Sequence, residues 1–193
     1  MSYIYIVPIE LEDHSYLEKL EGFISQTFHR RTIRKVLKIH AKDAFDPNRR
    51  QYNSSLILRQ LITHPPLNAE KILGVMDVDL FIPILSFVFG EAQLKGIGAV
   101  VSTHRLQNRF YGLPENREVA TERLFKEAVH ELGHTFGLIH CSQPQCVMNS
   151  STYVENIDLK PAAFCPLCQR SIKAEKSSPG NRGFFFPWWG KKT

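Results

Sequence analysis

Residues 130–140 read His-Glu-Leu-Gly-His-Thr-Phe-Gly-Leu-Ile-His, a segment with three histidines at defined spacings. His130 and His134 are four residues apart, so on a helix they lie one above the other on the same face. That spacing allows two imidazoles to bind one Zn²⁺ at about 2.0–2.1 Å. The opposite face of such a helix is apolar, at Phe125, Ala128, Val129, Leu132 and Phe136. The pattern predicts a helix that packs one face on a core and presents metal ligands from the other.

Gly137 predicts the end of this helix, since glycine adopts the left-handed conformation after a helix at little cost. His140 can then approach the metal from another direction as a third ligand. Three protein ligands leave a fourth position for water, which is typical of a catalytic zinc. Glu131 lies next to the first ligand, where it can accept a proton from that water. A helix with surface histidines is the alternative, and the extended spacing disfavours it.

All four cysteines of the chain fall near its C-terminal end, at Cys141, Cys146, Cys165 and Cys168. Their C-x4-C and C-x2-C spacings are typical of zinc fingers, and four thiolates close a tetrahedral structural site. Two disulfides or buried free thiols are the alternatives. Cys141 directly follows His140, and neighbouring side chains of an extended chain point to opposite sides. We therefore expect two Zn²⁺ per chain, one catalytic and one structural.

The segments before residue 130 alternate between strand and helix patterns. Strands are predicted at 3–7, 32–39 and 72–78, and helices at 13–28 and 53–63. This order implies parallel strands joined by right-handed crossovers. Apolar runs at 84–89 and 97–102, joined by a short polar link, predict two neighbouring strands, at least one of them antiparallel. The active-site helix is expected between 116 and 136, and a short helix at 166–174.

These patterns predict an α/β (α+β) fold with a mixed, mainly parallel twisted sheet of about five strands and crossover helices. Three parts are expected along the chain. Residues 1–137 would form an upper subdomain with the sheet and the active-site helix. Residues 138–176 would form a small, loop-rich lower subdomain stabilised by zinc, and residues 177–193 a basic, aromatic tail.

The composition favours a globular protein, with 43% hydrophobic and 22% charged residues among 193. Its net charge of +5 comes entirely from the residues after Gln169, so the body of the chain is neutral and nucleic acid is not a favoured partner. The apolar runs are shorter than the ~20 residues of a membrane span. The N-terminal segment lacks the pattern of a secretory signal, which predicts a cytoplasmic protein.

The histidine motif followed by a methionine resembles the metzincin zinc metalloproteases. The cysteines make it similar to the archaemetzincins, whose pattern runs H-E-x-x-H-x-x-G-x-x-H-C-x4-C-x-M and ends in C-x-x-C. Residues 130–168 match every fixed position, with a spacer between Met148 and Cys165 one residue shorter than usual. The order of strands and helices before the motif also fits a metzincin upper subdomain.

The resemblance implies a role for each matching residue. The catalytic zinc would be held by His130, His134 and His140, and the structural zinc by Cys141, Cys146, Cys165 and Cys168. Glu131 would be the general base and proton shuttle, and Met148 the hydrophobic floor beneath the metal. Some metzincins carry a tyrosine ligand two residues after this methionine. Here that residue is Ser150, so no role is assigned to the nearby Tyr153.

The leading hypothesis is a zinc-dependent metallopeptidase that acts on a peptide or protein substrate. Segment 86–94 would be the edge strand that pairs with an extended peptide, or else an ordinary edge strand. The alternative function is a non-catalytic, zinc-stabilised module that binds a protein or nucleic-acid partner. Glu131 disfavours it, because a binding module has no use for a base beside an open metal position. The tail at 183–192 could stack on single-stranded nucleic acid, lie at a membrane surface, cover the cleft or simply dock on the protein.

Overall fold

This computed structural model describes residues 2–175. Within this range, eight strands with two α-helices between them occupy the chain up to Ser102, and three α-helices follow. The strands are β1 Tyr3–Pro8, β2 Thr32–Arg34, β3 Phe45–Asp46, β4 Gln51–Asn53, β5 Ala69–Met76, β6 Leu80–Phe81, β7 Gly90–Ala92 and β8 Gly98–Ser102. The helices are α1 Leu17–Phe28, α2 Ser54–Thr63, α3 Arg117–Thr135, α4 Val154–Leu159 and α5 Pro166–Glu175.

The main sheet has five strands in the order β2-β1-β5-β8-β7. Four of them are parallel, and β7 runs antiparallel to β8 at one edge. This confirms the predicted mixed, mainly parallel sheet. A second sheet of three strands, β3-β4-β6, was not predicted, because its strands of two or three residues are too short to show a period.

Two predicted strands differ from those observed. The prediction of a strand at 84–89 is wrong: Ile84 and Leu85 lie in a turn, 67% and 48% exposed. The Arg49 guanidinium donates to the carbonyls of Leu85 and Ser86, so these backbone groups pair with a side chain instead of a strand. The predicted strand 32–39 pairs with β1 only over its first three residues.

The helix predictions are closer to the structure. Helix α2 begins after Asn53, whose side chain accepts hydrogen bonds from the first turn. Helix α1 begins at Leu17, four residues later than the sequence pattern suggests. Helix α4 was not predicted, since six residues give too little periodicity. The helix predicted at 166–174 is present as α5.

The core lies on both faces of the sheet. Helices α1 and α3 cover one face, where they pack on alternate residues of β1, β5 and β8. Helix α2 covers the other face. Cys146, Val147 and Met148 join the first cluster, so residues from both sides of the predicted 137/138 boundary share one core. The division into subdomains stays a prediction, and the tail predicted at 177–193 lies outside the described residues.

Candidate active site and metal centres

Helix α3 ends in a way that turns the chain back towards its own ligand face. Gly137 has a φ of +86°. Its N–H donates to the carbonyl of His134, and the Leu138 N–H donates to the carbonyl of Gly133. This pair of bonds is the Schellman motif, in which a left-handed residue closes the helix. The reversal brings His140 back alongside the last two turns of α3.

The three motif histidines meet at one point. Their ligand nitrogens lie within 4.8 Å of one another. The Nε2 atoms of His130 and His134 are 3.1 Å apart. Two nitrogens bound tetrahedrally at zinc–nitrogen lengths are about 3.3–3.4 Å apart. His130 is 5% exposed, which argues against a helix with surface histidines.

Two backbone carbonyls fix which nitrogen of each helical histidine carries the proton. His130 Nδ1 lies 2.8 Å from the Val147 oxygen, and His134 Nδ1 lies 2.7 Å from the Leu138 oxygen. A carbonyl only accepts, so both Nδ1 atoms must donate. The neutral rings therefore point two Nε2 lone pairs at each other, and a cation between them would relieve their repulsion. Such outer contacts are the ones that orient metal-binding histidines.

Burial keeps these imidazoles in the form that binds a metal. It lowers the pKa of His134 to about 4, although the Leu138 carbonyl opposes the shift. It also lowers the pKa of His130 and of His140. All three are therefore neutral near pH 7, as metal ligation requires.

Glu131 lies buried beside the histidines. Burial raises its pKa well above the usual value, and the carboxylates of Glu127 and Glu91 raise it further. Strand β7 crosses directly over its side chain. A Cβ on Gly90 would lie only 2.7 Å from Cγ of Glu131. The backbone of the edge strand thus limits where the Glu131 carboxyl can lie.

Met148 packs against the other side of α3. It is fully buried, and a Cβ on Gly133 would lie 2.5 Å from its Sδ and 3.3 Å from the ring of Phe164. Gly133 stands between the two helical histidines in sequence. The methionine therefore forms an apolar support under the turn of helix that carries them.

The four cysteines form a second cluster with all Sγ atoms within 4.8 Å of one another. They are free thiols, and Cys141 Sγ lies 3.9 Å from Cys165 Sγ. That is far longer than a disulfide and close to the ~3.8 Å edge of a tetrahedral zinc–thiolate site. Cys165 directly precedes α5, and the Cys168 N–H lowers the pKa of Cys165 to about 7, whereas burial raises the pKa of Cys146 and of Cys168. The residues fit a structural zinc.

The segment that contains Met148 connects the two clusters. The Cys141 N–H donates to the Met148 carbonyl, and the Asn149 amide donates to the Cys141 carbonyl. Because Cys141 follows His140, these bonds fix the third histidine relative to the methionine. A shift in the cysteine cluster would therefore reach the histidine cluster through the backbone.

Strand β7 is an edge strand of the main sheet, and within residues 2–175 no strand pairs with its outer side, next to Glu131. The Ser102 N–H donates to Phe89, and the Gln93 N–H donates to Gly98. Antiparallel pairing alternates, so the main-chain groups of Gly90 and Ala92 point away from β8. The strand lies within the predicted edge segment 86–94, although it is shorter.

Several residues that shape the site were not identified from the sequence. The backbone carbonyls of Val147 and Leu138 hold the histidine rings, and a backbone group cannot be recognised from residue type. Gly90 and Gly133 are recognised only once the side chains that pass over them are known. Tyr153, which received no role, is 64% exposed.

Among the described residues, no helix is both long and apolar enough to cross a bilayer.

A sequence profile of peptidase family M54 matches residues 30–174. The chain belongs to this family. The archaemetzincin of Thermococcus kodakarensis is 37% identical over 182 residues, which cover 89% of this chain and 96% of that protein. The family membership and this relative agree with the resemblance seen in the motif.

Two solved structures share the fold of this chain. The crystal structure of archaemetzincin from Methanopyrus kandleri matches with a TM-score of 0.81 at 31% identity, over 92% of this chain and 96% of that one. A zinc-dependent peptidase from Methanocorpusculum labreanum matches with a TM-score of 0.76 at 28% identity, over 88% of this chain and 99% of that one. The M54 chain described here is thus a zinc metallopeptidase, and the binding-module alternative is not favoured.

Proposed function

We propose that this M54 peptidase hydrolyses peptide bonds at a zinc held by His130, His134 and His140, with Glu131 as the general base. The observation that carries this proposal is the facing pair of Nε2 lone pairs, 3.1 Å apart, whose rings are locked by two carbonyls. Two neutral imidazoles held in this way present both lone pairs to one point, as two ligands of a single metal ion must. A buried carboxyl next to it supplies the proton acceptor.

Zinc bound there would lower the pKa of a water towards ~7 and polarise the carbonyl of the scissile bond. Glu131 would take a proton from that water as it attacks and deliver it to the leaving amine. The burial that raises the pKa of Glu131 helps it to hold the proton between these events. His130 and His134 keep their Nδ1 protons on backbone carbonyls throughout, which holds both rings in place.

The outer edge of β7 is the proposed binding site for the substrate backbone. The main-chain groups of Gly90 and Ala92 point away from the sheet, and Gly90 lies against the side chain of Glu131. An extended peptide that pairs with this edge would pass close to the base. Pairing through the main chain gives affinity for peptides of many sequences.

We further propose two Zn²⁺ per chain, the second in the cysteine cluster, and a place in the metzincin group. The two clusters use separate sets of ligands, and three histidines leave a coordination position open while four thiolates do not. Four free thiols suit a reducing compartment, so a cytoplasmic location stays our prediction.

The test is Glu131→Gln, which keeps the shape of the side chain and removes its basicity. We expect the variant to hold as much zinc as the wild type and to lose about 10²–10⁴-fold in kcat on a casein or peptide-library substrate. The matched control is Glu122→Gln on the same helix, at a side chain 65% exposed, which should leave kcat unchanged. Full hydrolysis by Glu131→Gln would refute the mechanism, and zinc missing from the wild-type histidine site would refute the metal assignment.

A further inference from the structure

One buried lysine lies near the proposed catalytic centre without a part in the reaction. The side chain of Lys160, just after α4, is 2% exposed. Its Nζ lies 2.9 Å from Glu127 Oε1 and donates to the Asn149 carbonyl at 3.0 Å. Glu127 is buried as well, at 4%. An ion pair removed from water in this way is costly, and an apolar pair of similar size is often as stable.

The two contacts of Lys160 belong to the two parts of the proposed site. Glu127 is on α3, one helical turn before Glu131 and three residues before His130. Asn149 follows Met148, and its amide holds the Cys141 carbonyl next to His140. The ammonium therefore joins the helix that carries two ligands to the segment that positions the third.

We infer that Lys160 is a positioning residue of the proposed catalytic centre, which fixes the segment of Met148 and Asn149 against α3 by joining Glu127 to the Asn149 carbonyl. This inference rests on the proposed function. It concerns a residue outside the ligand and base set, and it makes the relative placement of His140 and the helical histidines depend on one buried cation.

The direction in which Lys160→Met changes zinc affinity distinguishes a positioning role from a simple effect of charge. Lys160 lies close enough to lower the pKa of His130, His134 and His140, although burial is the larger cause for each. A bare positive charge there would weaken the binding of a cation, and the Glu127 carboxylate offsets it. If charge alone mattered, Lys160→Met would leave Glu127 unpaired and tighten zinc. If Lys160 positions the ligands, the same variant binds zinc more weakly.

Lys126 offers a matched control on the same helix. Its side chain is 4% exposed, its Nζ lies 2.8 Å from Glu122 Oε1, and it donates to the Asp158 carbonyl of α4. Lys126→Met thus removes a buried lysine that also joins α3 to α4, but not one that is bonded to the segment of Met148 and Asn149.

The experiment measures the zinc affinity of the histidine site by chelator competition, with the zinc missing from His134→Ala as the reference for that site. Losing a direct hydrogen-bond partner of a metal ligand costs about 10–100-fold in affinity, and Lys160 acts one contact further away. We therefore expect Lys160→Met to weaken this zinc by about tenfold, the lower end of that range, and Lys126→Met to change it less than threefold. Tighter or equal binding in Lys160→Met, or equal loss in both variants, would overturn the inference.

The double variant Glu127→Met with Lys160→Met covers the case in which the single variant does not fold. It restores an apolar core but leaves the Asn149 carbonyl without the ammonium, so we expect a folded chain whose histidine site still binds zinc about tenfold more weakly. Wild-type affinity in the double variant would overturn the inference. The metal readout needs no catalysis, so an inactive wild type with normal zinc would count against the proposed function alone.

Discussion

Met148 occupies the space that a side chain at Gly133 would need, with Sδ 2.5 Å from the position of a Cβ there. The glycine lies between His130 and His134 in the motif, at a position whose identity the metal chemistry does not require. This contact explains why residue 133 is a glycine. The Met148 sulfur fits against the helix only because residue 133 has no side chain. The same contact makes Gly133 a sensitive probe of the site.

Gly133→Ala is expected to destabilise the protein by about 1–3 kcal/mol, because the added methyl group would overlap space that Met148 and Phe164 already occupy against the helix. Urea unfolding measures the loss. Gly22→Ala is the control, since a Cβ at this exposed position of α1 meets nothing within 4 Å. This variant should gain about 0.5–1 kcal/mol of stability from the higher helix propensity of alanine. If Gly133→Ala gained as much unfolding free energy as Gly22→Ala, Met148 would be able to move away from the helix at no energetic cost.

Gly90→Ala is expected to lower kcat by about 10²-fold while zinc content stays unchanged. The new methyl group would meet both the Glu131 side chain and the Val100 carbonyl, and a displaced base loses most of its effect. Metal analysis and kcat on the same preparation measure the two properties. Ala92→Gly, two residues along the strand, adds no atom and should keep more of the activity. Unchanged kcat in Gly90→Ala would show that Glu131 is not fixed by this strand.

Chelation of the zinc in the cysteine cluster is expected to lower the melting temperature strongly, because binding of a structural zinc contributes on the order of 10 kcal/mol to folding in small zinc domains. Cys165→Ser should hold one zinc fewer than the wild type. A reducing agent without chelator should change nothing, since the four thiols are already free. The opposite pattern, sensitivity to the reducing agent and resistance to the chelator, would support a disulfide instead.

Lys71→Met is expected to cost about 2–3 kcal/mol of stability. The buried ammonium donates to the carbonyls of Thr135 at 2.7 Å and Gly96 at 2.8 Å, and so closes the C-terminus of α3. Bonds to charged groups are the stronger ones, and a cation suits the negative end of a helix. Thermal unfolding measures the change, with the exposed Lys38→Met as the control, expected within about 0.5 kcal/mol. Equal melting temperatures for the two variants would contradict this cap.

Much of the fold could be predicted because its segments have strong local periods. The apolar run of β1 and the 3.6-residue pattern of α3 each identify an element without help from the rest of the chain. The strand predicted at 84–89 failed for the opposite reason. Its residues are apolar, but a distant arginine holds their carbonyls in a turn. Short strands such as β7 carry too few residues for any period.

The sequence by itself determined which side chains can bind metal and which can act as a base, because ligand chemistry and motif spacing are local properties of residues 130–168. Tertiary structure alone decided how they are held. The carbonyls of Val147 and Leu138 fix the imidazoles, Gly90 confines Glu131, and Lys160 lies 33 residues from its partner Glu127. The Leu138 carbonyl is only four residues from His134, but the other contacts join segments that are distant in the chain. Their formation depends on packing in three dimensions, which no local pattern records.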